Sequence, residues 1–466
     1  MDSRDSRESQ GRSAPGQPRR FGMTQADKQR LLQAMKGKGG QGAPEPPRGR
    51  TASRSVSADL LRFDTLPSYR EIEIQRAVAR KTGIEDGCYL CHEACAGRYA
   101  TLNGRRLLNF ATYDYLGLNA DPRLQEAAAQ AAARFGMSAS ASRITAGERP
   151  PHRELELLLA GLCEAEDCIC YVSGHGANVS TLGCLFGPRD AVFCDALCHN
   201  SLVLGVQLSG ARRFVYPSGD MDALARLLEE HRPSCQRAVI VTEGLFGMDG
   251  CLCDLPRLAE LKREHGCLLM VDEAHSMGVC GPTGRGVREH FGLASDAADI
   301  WMGTLSKSFC GCGGYIAGSR TLVDLLKYSA PGFVYSVGMP PAMAAASAEA
   351  VRLMLAEPWR VAKLQANGAR FLQLAKARGL DTGLAEGLAV VPVMIGDSLA
   401  TVAAAQLLRE RGILLNAAFY PGVEEGKARL RLFMSANHEE GDLEAAADAI
   451  AEAVPEARER VSRYAR

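Results

Sequence analysis

The sequence lacks an apolar run long enough to cross a bilayer, and it lacks an excess of either charge. Among its 466 residues, 54 lysines and arginines balance 54 aspartates and glutamates. A membrane-spanning helix needs about 20 consecutive apolar residues, and nucleic-acid-binding proteins usually carry a basic patch or excess. The composition therefore predicts no transmembrane segment, and its bulk charge favours neither nucleic acid nor a membrane surface as a partner.

The N-terminal segment also lacks the apolar core of a secretory signal, since it is polar and rich in arginine. The chain's 16 cysteines are therefore interpreted as reduced thiols of a cytoplasmic protein. Four residues form a C-x-x-C-H-x-x-C pattern, which is compatible with haem or zinc: Cys88, Cys91, His92 and Cys95. No second Cys/His pair lies at zinc-finger spacing, so we expect ordinary thiols and no metal.

The composition changes close to residue 58. Residues 1–58 are rich in Ser, Arg, Gly, Pro and Gln, which predicts a disordered basic tail. An amphipathic patch at Thr24–Met35 leaves open a docking or targeting arm. The remainder has a globular composition, and we expect an N-terminal arm (59–108), a large domain (109–340) and a small C-terminal domain (341–466).

Short apolar strands alternate with helical patterns in the predicted large domain. The strands are expected at Cys168–Val172, Ala191–Cys194, Arg213–Tyr216, Ala238–Thr242, Leu268–Val271 and Ile300–Gly303, with helices such as Pro122–Phe135, Met221–His231 and Leu255–His265. This alternation predicts an α/β fold with a mostly parallel sheet, which binds ligands at the carboxyl ends of its strands. Strands at Ala389–Ile395 and Arg429–Met434 with helices at Ala400–Gly412 and Asp442–Ala453 predict an α+β second domain.

Small residues follow the first predicted strand at Ser173–Asn178 (Ser-Gly-His-Gly-Ala-Asn). Backbone N–H groups exposed at the start of a helix are a natural seat for a phosphate. No G-x-G-x-x-G run follows a predicted strand, which argues against a nucleotide-binding module on the same topology.

An apolar strand delivers Asp272 at its carboxyl end, and His275 follows three residues later. A buried carboxylate is costly unless it faces a cation, and a protonated pyridine nitrogen would supply one. The alternative is an aspartate that caps the following turn.

Lys307 stands just after the last predicted strand, flanked by small and hydroxyl residues in Gly303–Phe309. Burial beside other cationic groups would lower its pKa and make it a nucleophilic amine for a carbonyl group. The alternative is a solvated loop lysine.

Together these residues resemble the α-oxoamine synthases, which are fold-type I enzymes dependent on pyridoxal 5′-phosphate (PLP). That family includes 8-amino-7-oxononanoate and 5-aminolevulinate synthases, 2-amino-3-ketobutyrate ligase and serine palmitoyltransferase. The resemblance covers about residues 110–438, and the text of Ala141–Pro150 and Leu305–Gly314 is most similar to members of polyketide or lipid pathways. Further matching blocks are Phe110–Leu118, Asp195–Leu202, Glu243–Gly250, Gly284–Gly286, Tyr335–Pro341 and Ala428–Arg431. The resemblance implies a large domain with a seven-stranded, mostly parallel sheet and a smaller α+β domain.

The resemblance also implies a role for each site residue. Lys307 would carry PLP as a Schiff base and remove the amino-acid Cα proton. Asp272 would pair with the pyridinium nitrogen and His275 with the phenolic oxygen. His199 would stack on the ring face and assist the acyl carbonyl. The other implied contacts are the amides of Gly174 and His175 with Thr304 at the phosphate, Ser336 at the phosphate of the other subunit, and Arg431 at the substrate carboxylate.

Three positions depart from the family's pattern on the substrate side. Gly247 stands where serine is frequent, so a hydroxyl near the cofactor is missing. Tyr113 stands where the family often has an asparagine, and that asparagine helps to bind the amino acid. Ser138–Ser142 replaces a glycine-rich run. These departures leave serine, glycine and alanine open as substrates.

The reaction implied is a condensation of an amino acid with an acyl thioester, with decarboxylation, to an α-amino ketone. The thioester carrier is either coenzyme A or an acyl carrier protein, and the basic tail would attract the acidic carrier. The resemblance further implies a homodimer. The rival enzyme is a PLP-dependent aminotransferase, and a non-catalytic synthase subunit is disfavoured because Lys307 is present.

Overall fold

The computed structural model describes residues 57–85 and 87–464, and these residues fall into two compact units. In the described part, one unit comprises residues 57–78 with 462–464, and the other comprises residues 79–461 apart from residue 86. The first unit contains 3₁₀ turns at Ala58–Leu61 and Phe63–Thr65. The predicted tail lies outside the described residues except for its last two residues. The amphipathic patch at Thr24–Met35 lies outside them as well. The division into domains at residues 109 and 341 stays a prediction.

The centre of the second unit is a seven-stranded sheet. A hairpin of β1 (Tyr99–Leu102) and β2 (Arg105–Asn109) precedes it. The seven strands are β3 (Asp167–Tyr171), β4 (Ala191–Asp195), β5 (Arg212–Tyr216), β6 (Ala238–Glu243), β7 (Leu268–Asp272), β8 (Ile300–Thr304) and β9 (Gly314–Gly318). Their order in space is β3-β9-β8-β7-β6-β4-β5, and β9 alone runs against the others. The predicted α/β class and mostly parallel sheet are confirmed.

The helices predicted at Pro122–Phe135, Met221–His231 and Leu255–His265 have the same bounds in the structure. Up to residue 377, the helices of the described residues are α1 (Pro67–Thr82), α2 (Pro122–Phe135), α3 (Pro150–Cys163), α4 (Gly174–Leu185), α5 (Asn200–Ser209), α6 (Met221–His231), α7 (Leu255–His265), α8 (Val287–His290), α9 (Arg320–Ser329), α10 (Pro331–Val334), α11 (Pro341–Ala356) and α12 (Trp359–Ala377). Several start at an aspartate cap, as Asp121, Asp220 and Asp254 each accept a backbone N–H of the first turn.

The inner strands are buried along their whole length, which explains their continuous apolar sequences. Phe193 and Trp301 lie on one face of the sheet and Val192 and Met302 on the other, each face packed beneath helices. Because a parallel sheet leaves all its carboxyl ends at one edge, this packing delivers the last residues of β6, β7 and β8 to a common place.

The C-terminal part contains a second, antiparallel sheet. Its elements are β10 (Val390–Gly396), α13 (Ser398–Glu410), β11 (Ile413–Leu414), β12 (Asn416–Ala418), β13 (Ala428–Phe433) and α14 (Glu440–Tyr464). β13 lies between β10 and β12, whereas β11 pairs in parallel with β2. The predicted strands at Ala389–Ile395 and Arg429–Met434 are confirmed within one residue.

Strand β9 has no counterpart among the six predicted strands. A Cβ on Gly314 would lie 2.5 Å from Gly174 Cα, so two backbones approach each other here. β9 thereby closes a hairpin with β8 that holds Lys307 beside the start of α4.

No helix of the described residues is long and apolar enough to span a membrane. The same part of the chain contains no group of three or more His, Cys, Asp or Glu side chains placed to hold a metal ion. All 16 cysteines lie in the described residues and are free thiols, including the three of the C-x-x-C-H-x-x-C pattern.

Candidate active site

The candidate site lies where three neighbouring strands end. Glu243, the last residue of β6, is opposite Asp272, the last residue of β7, and Asp272 is opposite Met302 in β8. Lys307 follows β8 in the loop before β9, and Cys310 N donates to its carbonyl oxygen at 3.1 Å. The sheet therefore brings two carboxyl groups and one amine to the same edge.

Lys307 is half-buried, and its Nζ lies 5.6 Å from the centroid of the Tyr113 ring. Burial lowers its pKa to about 8, while the charge of Asp272 and, once it ionises, that of Glu243 oppose the shift and Arg431 adds to it. An amine that is partly unprotonated near neutral pH is a nucleophile for an aldehyde. This environment argues against the alternative of a solvated loop lysine.

Asp272 is buried, with 4% of its surface exposed. Its Oδ2 accepts from Asn178 Nδ2 at 2.8 Å and its Oδ1 accepts from Ala274 N at 2.9 Å. Both donors are neutral, so the carboxylate keeps its charge available for a cation such as a protonated ring nitrogen. Asp272 also hydrogen-bonds within its own turn through Ala274 N, as the capping alternative requires, but its second oxygen is directed to helix α4.

His199 caps the start of α5, where its Nδ1 accepts from Ser201 N at 3.3 Å and lies 2.7 Å from Ser201 Oγ. The residue is exposed on one side. Partial desolvation lowers its pKa, Lys307 adds to that effect and Asp272 opposes it. The His175 ring, which is exposed, stands edge-on at 6.4 Å from the His199 ring. His199 is therefore a neutral imidazole at the edge of the site near neutral pH.

His275 lies deeper in the site, and its Nδ1 is 2.7 Å from Tyr115 Oη. Burial, then the charges of Lys307 and Arg431, lower its pKa well below the ordinary value. Burial also raises the pKa of Tyr115, which keeps its hydroxyl protonated. The pair supplies a neutral imidazole held by a buried hydroxyl.

The start of α4 forms the polar end opposite this pair. Ser173 Oγ accepts from Gly176 N at 3.2 Å, and the first amides of a helix have no partner within the helix. A Cβ on Gly174 would lie 2.9 Å from Thr304 Oγ1, so glycine lets the helix start approach strand β8. Thr304 Oγ1 lies 2.9 Å from Ser306 Oγ. This combination of amides and hydroxyls fits a phosphate.

Arg431 projects from β13 toward the loop after β6. Its Nη2 donates to Gly247 O at 2.7 Å, and its guanidinium lies 4.8 Å from the centroid of the Phe433 ring. Its Nε is buried and has no partner among the described residues. Tyr113 stacks edge-on against Phe433 at 4.6 Å and His275 at 5.9 Å. A cation with a free donor beside Tyr113 suits a substrate carboxylate.

Ser336 lies apart from these residues, in the turn after α10. Its backbone N donates to Phe333 O at 3.4 Å, and it borders a small cavity with Arg143 and Tyr171. In the described residues none of its hydrogen bonds reaches Lys307. The prediction that it meets the cofactor of a second subunit stays a prediction.

Four residues of the site were not singled out from the sequence, although each stands inside a quoted block: Tyr115, Asn178, Ser201 and Glu243. Glu243 accepts backbone N–H groups of Gly247 and His199, and burial followed by the charge of Asp272 raises its pKa to about 8. Its protonated carboxyl avoids a second negative charge beside Asp272. The sequence signal that could have identified Glu243 was its position directly after a predicted strand, at the start of the block Glu243–Gly250.

These residues fit PLP on three independent features. Lys307 is an amine of lowered pKa, Asp272 is a buried carboxylate at the strand ends whose hydrogen-bond donors are neutral, and Gly174 opens a helix start against Thr304. They match the aldehyde, the ring nitrogen and the phosphate of that molecule, respectively.

Comparison with known proteins agrees with this geometry. The family model described as aminotransferase class I and II matches residues 105–450. A putative 8-amino-7-oxononanoate synthase of Gloeobacter violaceus is 43% identical over 353 residues, which cover 76% of this chain and 90% of that protein. The 8-amino-7-oxononanoate synthase of Petrotoga mobilis is 38% identical over 353 residues, covering 76% and 89%.

A solved structure of similar fold is that of a serine palmitoyltransferase from S. paucimobilis with bound PLP and myriocin. It superposes with a TM-score of 0.81 at 25% identity, and the match covers 84% of this chain and 99% of that one. The chain is thus similar, over nearly the whole length of these relatives, to 8-amino-7-oxononanoate synthases in sequence and to a serine palmitoyltransferase in fold.

Proposed function

Because the chain belongs to the α-oxoamine synthase family of fold-type I PLP enzymes, within aminotransferase class I and II, we propose how its residues divide the work of that family. The enzyme uses PLP to condense an amino acid with an acyl thioester. The lowered pKa of Lys307, at the sheet edge beside Asp272, is the observation that carries the assignment of roles.

Lys307 would hold the cofactor covalently in the resting enzyme and would take the Cα proton once the amino acid has bound. PLP supplies an electron sink for the carbanion that this proton transfer leaves on Cα. A pKa of about 8 suits the transfer, since a base works best when its pKa is close to the working pH. Asp272 would hold the ring nitrogen, His275 the phenolic oxygen and His199 the ring face.

Arg431 binds the amino-acid carboxylate through its unpaired Nε, while its bond to Gly247 O fixes the guanidinium. Tyr113 lies between Lys307 and Phe433 and forms a wall of the amino-acid pocket. An aromatic wall in this place favours a small side chain, in keeping with serine, glycine or alanine. The thiol of the acyl donor leaves as the new carbon–carbon bond forms, the amino-acid carboxylate is lost as CO₂, and an α-amino ketone is released.

The active enzyme is a homodimer in this proposal. Two apolar side chains that flank Ser336 are exposed, Tyr335 at 86% and Val337 at 49%. A second copy that covers them brings Ser336 to the phosphate of its cofactor. Sedimentation of the purified protein tests this, and a monomer that is fully active would contradict it.

The acyl group arrives on coenzyme A or on an acyl carrier protein. Residues 1–58 contain 12 lysines and arginines against 5 aspartates and glutamates, a net charge of 12 − 5 = +7. This excess favours an acidic carrier protein through long-range attraction.

The function is tested by offering the PLP-loaded protein single amino acids, each with and without a long-chain acyl thioester. One amino acid is expected to shift the visible spectrum, and adding the thioester then releases CO₂. A spectral shift followed by keto-acid-dependent amino transfer, with no CO₂ from either carrier, would instead make the enzyme an aminotransferase.

A further inference from the structure

A continuous hydrogen-bond chain joins two residues of the site through two residues that have no assigned role. Asn178 Nδ2 donates to Asp272 Oδ2 at 2.8 Å and to Ser201 Oγ at 2.9 Å. Ser201 Oγ is in turn 2.7 Å from His199 Nδ1. Asn178 and Ser201 are buried, at 1% and 0% exposure, so solvent does not compete for these bonds.

The available donor protons determine which atom donates in each hydrogen bond between Asp272 and His199. An amide oxygen facing the Asp272 carboxylate would be repelled, so the nitrogen of Asn178 faces it. The two protons of that nitrogen are then used by Asp272 and Ser201 Oγ. Ser201 Oγ accepts one proton and donates its own to His199 Nδ1.

His199 Nδ1 also accepts the backbone N–H of Ser201 at 3.3 Å. A nitrogen that accepts two hydrogen bonds carries no proton in the neutral ring, so the proton resides on Nε2. Among the described residues none accepts from Nε2, which leaves that N–H for a bound molecule.

We infer that Asn178 and Ser201 are positioning residues that hold His199 in the tautomer protonated on Nε2, so that it presents a hydrogen-bond donor to the acyl carbonyl of the thioester. This inference rests on the proposed function for the identity of the bound carbonyl. A fixed donor stabilises negative charge that develops on that oxygen during condensation.

The test is a ¹⁵N NMR measurement of imidazole tautomers in the full-length protein, recorded with and without PLP. The chain has nine histidines, and His199→Gln identifies the signals of His199. Wild type is expected to show a protonated Nε2 and an unprotonated Nδ1. Ser201→Ala and Asn178→Ala are each expected to shift the tautomer ratio toward Nδ1–H by roughly threefold to tenfold, the equivalent of one ordinary hydrogen bond.

Ser209→Ala is the matched control, because Ser209 lies on the same helix and its hydroxyl donates to Val206 O at 2.7 Å. It is expected to leave the His199 signals unchanged. A wild-type His199 protonated on Nδ1, or equal ratios in Ser201→Ala and Ser209→Ala, would overturn the inference.

The kinetic readout separates this inference from the proposed function. Ser201→Ala is expected to lower kcat with the thioester while the KM for the amino acid and the PLP affinity stay unchanged. If no CO₂ is released by wild type, the proposed function fails, whereas the tautomer measurement still decides the roles of Asn178 and Ser201.

Discussion

The ring of His275 occupies the space that a side chain at position 247 would need. A Cβ built on Gly247 would lie 2.1 Å from His275 Nε2 and 2.4 Å from Cδ2. The same ring is held from its other side by Tyr115, whose Oη is 2.7 Å from Nδ1. The serine-to-glycine departure seen in the sequence is therefore coupled to the place of a cofactor-binding histidine.

Gly247→Ser is expected to displace His275 from Tyr115. Loss of one hydrogen bond costs about 1 kcal/mol, so PLP is expected to bind roughly fivefold more weakly, with a shifted visible absorption band. Gly161→Ala is a matched control, since a Cβ at that exposed helical position meets no atom within 4 Å. A serine variant with the wild-type affinity and spectrum would show that His275 has room to move.

Arg431→Lys is expected to weaken amino-acid binding while leaving PLP binding intact. A lysine retains the charge but loses the planar fork that reaches both Gly247 O and a carboxylate. The KM for the amino acid is expected to rise about tenfold to a hundredfold. Arg378→Lys, at a surface pair with Asp448, is the control. An unchanged KM in Arg431→Lys would remove Arg431 from the substrate site.

The uptake of PLP by the cofactor-free enzyme is expected to depend on the ionisation of Lys307. Burial lowers its pKa to about 8, so the neutral amine that attacks an aldehyde increases as pH rises through 8. The rate of uptake should rise by about tenfold between pH 7 and pH 9 and then level off. A rate that keeps increasing toward pH 10 would mean that the pKa of Lys307 is ordinary.

Glu243 should make the stability of the cofactor-free protein fall at alkaline pH. Its pKa is raised to about 8 by burial and by Asp272, above the value of an unfolded chain. The folded state therefore holds this proton more tightly, and the stability it confers is lost as pH rises through 8. Glu243→Gln cannot ionise, so its Tm should exceed that of wild type by more at pH 9 than at pH 6. An equal difference at both values would contradict a raised pKa.

Deletion of residues 1–58 is expected to lower kcat/KM with an acyl carrier protein donor and to leave turnover with acyl-CoA unchanged. The basic excess of the segment acts by long-range attraction, so the loss should diminish at high salt. Deletion without any effect on carrier-protein turnover would exclude the tail from carrier recognition.

Much of the fold could be predicted because local patterns determine it. The helices at Met221–His231 and Leu255–His265 have aspartate caps and clear apolar faces, and their predicted ends match the structure. Strand β9 was missed because glycine, which is uncommon in strands, stands at both its ends. β11 and β12 have two and three residues, too few for a periodic signal.

The principal site residues stood at strand ends or in polar motifs, which is why Lys307 and Asp272 were found. Asn178, Ser201 and Tyr115 act through other side chains, and such contacts depend on distances between separate elements. The lack of room for a side chain at position 247 likewise depends on two loops that are distant in sequence, because the His275 ring fills that space. A sequence shows the departure at Gly247 but not the ring that fills its space.

Lys307 is proposed to carry PLP, and the roles of the other site residues depend on that attachment. The PLP-loaded protein is reduced with borohydride, digested, and mapped by mass spectrometry. The cofactor is expected on the peptide that contains Lys307, with no labelled peptide in Lys307→Ala and no CO₂ release by that variant. Attachment at another lysine, or an active Lys307→Ala enzyme, would contradict the role proposed for Lys307.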